Sequence, residues 1–162
     1  MRRRTDISAG ILVFRRRPRL EVLLAHPGGP FWAKKDMGAW TIPKGVADGE
    51  ADLLATAQRE FNEETNLAVV GDLLPLAPVK QRSGKVVYGW ACEADLDLTA
   101  FASNTFEIEW PPRSGRQRHF PEIDRVGYFA LPTAMAKIIA YQQPFLAELQ
   151  SLVGEAASAP RA

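Results

Sequence analysis

The chain has 162 residues, enough for one domain with a sizeable core. At 46% hydrophobic and 24% charged residues it has the composition of a folded protein, not of a disordered one. A net charge of +1 gives no global field for nucleic acid or membrane, the single cysteine excludes an intrachain disulfide and fits a reducing cytoplasm, and no apolar run reaches bilayer length.

Arg2, Arg3 and Arg4 read as a solvated end, because charges return at Arg15 before any signal-peptide apolar region. Residues 8–14 then read as a buried strand, 15–19 as a polar turn, and 20–26 as a second strand and hairpin partner. The arginines of the turn are a solvated tip. His26 reads as a core-edge or capping residue. Residues 27–30, Pro-Gly-Gly-Pro, break the chain, and 31–39 form a loop holding Phe31, Trp32, Lys34, Lys35 and Asp36. Two readings of this loop stand. Its aromatics and lysines stack a base and neutralise phosphate, or the aromatics pin the loop to the core.

Trp40 to Ile42 is a short strand. It feeds a loop broken by Pro43, Gly45 and Gly49, and residues 51–65 form a helix free of Pro, Gly, Val and Ile. Asp48 or Gly49 serves at its N-cap. Leu54, Ala57, Phe61 and Thr65 share one stripe, and Glu60, Glu63 and Glu64 fall beside it, able to point at one place. An acidic cluster that abuts an apolar stripe sits at a core margin. Its mutual repulsion calls for solvent, a basic partner or a hard cation, and carboxylate oxygens suit magnesium and manganese.

A strand starts at residues 67–70, 71–78 are irregular, and 79–93 read as a hairpin with a central strand in which Cys92 is a small core residue. Residues 105–110 alternate as a strand carrying Glu107 and Glu109. Residues 111–119 form a basic loop with Arg113 and Arg116, either solvated or a polyphosphate clamp. Residues 120–129 end in a strand, 131–141 are a helix with Pro132 in its first turn, and 144–153 are another. Residues 154–162 are a frayed tail. Strands flanking one central helix, with helices closing the chain, suggest an α+β helix–sheet–helix sandwich.

Residues 43–67 resemble the Nudix box, Gly-x5-Glu-x7-Arg-Glu-U-x-Glu-Glu-x-Gly-U, with U a bulky aliphatic. Gly45 matches the first Gly, Arg59-Glu60-Phe61-Asn62-Glu63-Glu64 the acidic core, and Leu67 the last position. Ala51 stands where the box has its early Glu, with Glu50 one residue before it, and Asn66 stands at the late Gly. Asn is the next-best residue for a left-handed C-cap. In the family the early Glu braces the box Arg, here Arg59. Glu50 after a one-residue shift, or Glu63 at i+4, are the alternatives.

The resemblance implies the Nudix fold, a mixed β-sheet between helices, as a single domain over residues 5–153. It implies a MutT-like, metal-dependent hydrolase of a pyrophosphate bond in a nucleoside diphosphate linked to another moiety. Magnesium, or manganese, would be held by Glu60, Glu63 and Glu64 with the Gly45 carbonyl. Lys44 would steady a phosphate. Glu122 matches a late acidic position that supplies a metal ligand or the base, with Glu107 and Glu109 as competitors. Lys35, Trp32, Arg113 and Arg116 complete the substrate-binding set. Residues 110–112, 120–125 and 143–146 look like bacterial Nudix proteins related to diadenosine tetraphosphate hydrolases, which makes a dinucleoside polyphosphate the expected substrate. The partner is a small nucleotide, with no nucleic acid and no membrane, and the chain works as monomer or homodimer. The rival, resting on Ala51, is a non-catalytic nucleotide-binding module on the same scaffold.

Overall fold

Side-chain alternation along the first strand sets the layers of the molecule. The computed structural model describes residues 7–47 and 52–154, so Arg2 to Arg4, residues 48–51 and the tail beyond Gly154 lie outside the described residues. The strands are β1 (Ile7–Arg16), β2 (Leu20–Pro27), β3 (Lys44–Val46), β4 (Leu74–Pro75), β5 (Val79–Lys80), β6 (Val86–Glu93), β7 (Thr105–Glu109), β8 (Gln117–Pro121) and β9 (Ile123–Ala130). The helices are α1 (Leu53–Thr65), α2 (Leu131–Lys137) and α3 (Gln143–Val153).

On β1, Ala9, Ile11 and Val13 face one side, where they meet Ala57 and Phe61 of α1, Leu67 and Cys92. Leu12 and Phe14 face the other, where Leu131, Ala134, Phe145, Leu146 and Leu149 of α2 and α3 close the second core. Phe61 and Phe145 are fully buried, and truncating either to Ala would cost about 3–5 kcal/mol. The sheet between them runs β4-β6-β1-β2-β9, with β3 added to β1 and β5 to β6. Strands β1 and β6 are parallel, from Ile7 opposite Val86 to Phe14 opposite Glu93, and the other strand pairs among the described residues are antiparallel, so the sheet is mixed. The helix–sheet–helix sandwich expected from the sequence is the observed architecture.

Several local expectations are corrected. Helix α1 starts at Leu53 and is capped by Asp52, whose carboxylate accepts the Ala55 N–H at 3.1 Å. The expected caps, Asp48 and Gly49, lie outside the described residues. Residues 44–46, read as loop, add strand β3 to β1. Residues 67–70 form no strand. The pairing falls instead to Leu74–Pro75, where an edge position tolerates proline. The basic loop is shorter than expected, since Gln117 to His119 belong to β8 and pair with β7 in a separate two-stranded sheet. Helix α2 ends at Lys137 because the chain is drawn off by Trp40: Ile139 N–H donates to the Trp40 carbonyl at 2.7 Å. Trp40 and Thr41 are isolated bridges, to Ile138 and Ala25, where a short strand was expected.

Asn66 does what the missing glycine would do. It ends α1 in the left-handed region, at φ 62° and ψ 21°, and donates its N–H to Asn62 O at 2.7 Å. Its amide also reaches Ala100 O at 3.1 Å. Asn66→Ala is expected to lower unfolding free energy by about 1–2 kcal/mol, read as a lower urea midpoint at unchanged slope.

Candidate active site

Helix α1 and strand β3 lie side by side, and the acidic groups meet the glycine bend there. The Glu60 side chain rests directly on Gly45. A Cβ at that position would run into the Glu60 carboxylate, so only glycine lets Glu60 keep this place. Glu60 is 15% exposed, and burial raises its pKa above the ordinary carboxyl value, with Arg59 opposing. One helical turn on, Glu64 faces a cleft of about 260 Å³ that also presents Lys44, Glu122, Trp32, Gln81 and Tyr141. Burial, then the charges of Glu122 and Glu60, push the Glu64 carboxyl up to about 8, against Lys44 and its backbone hydrogen bond. Lys44 is itself lowered by burial, although Glu64, Glu60 and Glu122 favour its charge. Glu60, Glu64 and Glu122 therefore act on Lys44 together, while Lys85 opposes its charge and Arg59 pairs with Glu60.

Glu122 is set by backbone contacts at the β8–β9 junction. Its carbonyl accepts the Gly28 N–H at 2.9 Å, and its N–H donates to Asn104 O at 2.8 Å. The loop across the cleft is tied down at two points. Buried His26 sets Nδ1 2.9 Å from Asp124 Oδ1 and Nε2 2.6 Å from Lys35 O, in keeping with its reading as a capping residue. Asp36 accepts from Trp40 Nε1 at 2.7 Å and from Lys137 Nζ at 2.9 Å, and the Lys137 bond holds its carboxyl below the usual range. Trp32 both packs against the core and lines the cleft, so the pinning reading applies to it. Trp40, just beyond the loop, is buried and holds its end through Asp36.

Not every candidate lies in the cleft. Glu63 does not line the cleft that Glu64 faces, although its charge still acts on Glu60. Glu63 is 44% exposed and accepts from Arg59 Nη1 at 3.3 Å, the i+4 contact that was one of the two alternatives. Arg59 also donates to Glu60 Oε2 at 3.0 Å. Lys35 sits with its ammonium 5.2 Å from the Trp32 ring and is exposed. Arg113 and Arg116 occupy the exposed turn of the β7–β8 hairpin and are not among the cleft residues. That hairpin touches the loop through Trp110, whose ring stands edge-on to Phe31 at 5.4 Å. Glu107 and Glu109 face His119 and the Gly115 N–H, which removes them as rivals of Glu122 inside the cleft.

Sequence reasoning missed Thr41, Gln81, Ile139 and Tyr141, which complete the walls. Ile139 and Tyr141 were hidden inside an assumed helix. The Gln-Gln-Pro run that follows Tyr141 was the available signal for a break there.

A NUDIX domain model matches residues 4–149. The chain belongs to the Nudix family. By family it is a Nudix pyrophosphohydrolase, and it adopts the Nudix fold. No curated protein matches it. Among solved structures it is similar to an Ap4A hydrolase of C. elegans in a binary complex, at 20% identity and TM-score 0.63, over 90% of this chain and 97% of that one. It is similar to a mutT/nudix family protein from Listeria innocua, at 18% identity and TM-score 0.61, over 98% and 100%. It also resembles the NUDIX domain of Shewanella oneidensis NrtR complexed with ADP ribose, at 17% identity and TM-score 0.56, over 94% and 86%. At these identities the likeness is one of fold.

Nudix hydrolases use divalent ions, and the donor chemistry here suits one. Glu60 and Glu64 are hard oxygen donors with raised pKa values beside a further carboxylate, a set that positive charge would relieve. Among the described residues no three His, Cys, Asp or Glu side chains already form a metal-binding group. Arg59 Nη1 lies 3.0 Å from Glu60 and 3.3 Å from Glu63, so the guanidinium sits between these two carboxylates. The brace expected from Glu50 lies outside the described residues. No helix among the described residues is long and apolar enough to cross a membrane.

Proposed function

We propose that this chain hydrolyses a pyrophosphate bond in a nucleoside diphosphate linked to another moiety, in a metal-dependent reaction, with a dinucleoside polyphosphate such as diadenosine tetraphosphate as substrate. The observation that carries the reading is one cleft joining Glu64, Glu122 and Lys44 to the flat apolar side chain of Trp32. Phosphates need the first group and a base the second. The dinucleotide preference rests on the similarity of residues 110–112, 120–125 and 143–146.

Glu60 and Glu64 would hold magnesium, or manganese in its place, with the Gly45 carbonyl as a further ligand and Glu63 acting through water. The ion would neutralise phosphate charge and lower the pKa of bound water. Lys44 Nζ meets a phosphate oxygen. The Glu122 carboxylate takes the proton of the attacking water. Trp32 stacks a base with Lys35 beside it, and Arg113 and Arg116 reach the outer phosphates. The working unit is residues 5–153, as monomer or homodimer, in the cytoplasm, without nucleic acid or membrane partners.

The test is a panel of dinucleoside polyphosphates, oxidised nucleoside triphosphates and nucleotide sugars, assayed with and without magnesium. Diadenosine tetraphosphate is expected to give the highest kcat/KM, and only with metal. Equal or absent turnover of the dinucleotide would remove the specific claim. Nucleotide affinity without metal-dependent product would replace the hydrolase by a binding module.

A further inference from the structure

Tyr141 enters the cleft from the short 3-10 turn between α2 and α3, and a buried neighbour fixes how its hydroxyl can be used. Gln142 is fully buried. The backbone N–H of Ile42 can only donate, so the Gln142 atom facing it at 3.0 Å is the amide oxygen. The amide nitrogen is thereby turned to Tyr141 Oη at 3.1 Å. That nitrogen also can only donate, so the tyrosine oxygen accepts. The tyrosine proton has to go elsewhere, and among the described residues no acceptor takes it. Burial keeps the group a neutral phenol by raising its pKa above the ordinary value. The hydroxyl proton is therefore available to whatever occupies the cleft that Tyr141 lines.

The surroundings say which ligand atom. Lys44, Glu64 and Glu122 account for the charged part of a nucleotide. Tyr141 shares the cleft with Ile139, Ile123 and Trp32, side chains that suit a planar ring and not a phosphate. We propose that Tyr141 is a specificity-determining donor, giving its hydroxyl proton to a ring nitrogen or carbonyl of the substrate's nucleobase. This rests on the nucleotide reading above, and it adds a base-reading contact that the acidic helix does not supply.

Tyr141→Phe keeps the ring and removes only the donor. Calorimetry with magnesium would compare a methylene-bridged, non-hydrolysable nucleoside diphosphate with methylenediphosphonate, which has no base. The variant is expected to bind the nucleotide analogue about tenfold more weakly, as the loss of one hydrogen bond implies. Its affinity for methylenediphosphonate should be unchanged. In turnover, KM rises by a similar factor while kcat stays within about twofold. Unchanged affinity of Tyr141→Phe for the nucleotide analogue overturns the inference alone. An equal loss for both ligands also overturns it, because the donor would then serve the phosphate. Failure of the wild type to bind either ligand overturns the nucleotide reading itself and this inference with it.

Discussion

Glu64→Gln is expected to lower metal-dependent turnover by about 1,000-fold or more, because charge stabilisation worth several kcal/mol passes through this carboxylate. Glu64 is the only box glutamate that lines the cleft and neighbours Lys44, Glu60 and Glu122. The same substitution should act in the opposite direction on stability without metal. In the folded chain the Glu64 carboxyl is raised from 4.5 to about 8 by burial and by Glu122, so folding favours its protonated form. A raised acid contributes stability that is full below pH 4.5 and is lost as pH climbs through about 8. The cost of ionising it is at most about 4–5 kcal/mol, and less once water in the cleft screens the charges. With about 2–4 °C per kcal/mol for a chain of this size, the wild type should lose about 5–10 °C relative to Glu64→Gln between pH 5 and pH 9 in chelator. Magnesium should recover most of that loss in the wild type and little in the variant. Parallel melting curves for the two proteins across this range would show that Glu64 is not the strained acid.

The fold was legible in the sequence where apolar residues form an unbroken run or repeat with a clear period. The continuous apolar runs of β1 and β2, the alternation in β6 and the stripe through Ala57, Phe61 and Thr65 describe the observed layers. The stripe was slightly misplaced. Leu54 was assigned to it, whereas Leu53 packs against the core beside buried Thr56. What failed were features decided by partners distant in sequence. Strand β3 exists because Gly10 and Ala9 pair with Lys44 and Gly45, and helix α2 stops because Trp40 captures Ile139. No local pattern encodes either contact. The site shows the same division. The helix wheel brought Glu60 and Glu64 to the core margin correctly, but it treated Glu63 as their equal. Rotation by one residue carries Glu63 into solvent, and a neighbouring arginine then decides its orientation. Tyr141 escaped altogether, since its role depends on a hydrogen bond between Gln142 and Ile42, one hundred residues apart.

Gly45→Ala separates the site from the fold. The added methyl would meet the Cγ, Cδ and Oε1 atoms of Glu60 and no backbone within the three closest contacts. A side-chain end can swing away, so the fold absorbs the change, and melting temperature should move by no more than about 2–4 °C, the equivalent of about 1 kcal/mol. Glu60 cannot keep its place against β3, however. Displacing a reacting-site group by about 1 Å costs on the order of 100-fold in rate, and the loss should appear in kcat at saturating metal. Gly10 gives the contrast. A methyl there would meet the Pro43 carbonyl and the Lys44 Cβ, atoms fixed by the sheet. Gly10→Ala should therefore destabilise the protein by about 1–3 kcal/mol, read as a lower urea midpoint, whatever it does to activity. If Gly45→Ala also unfolds early while its kcat per folded molecule is normal, the glycine serves the chain's path and not the position of Glu60.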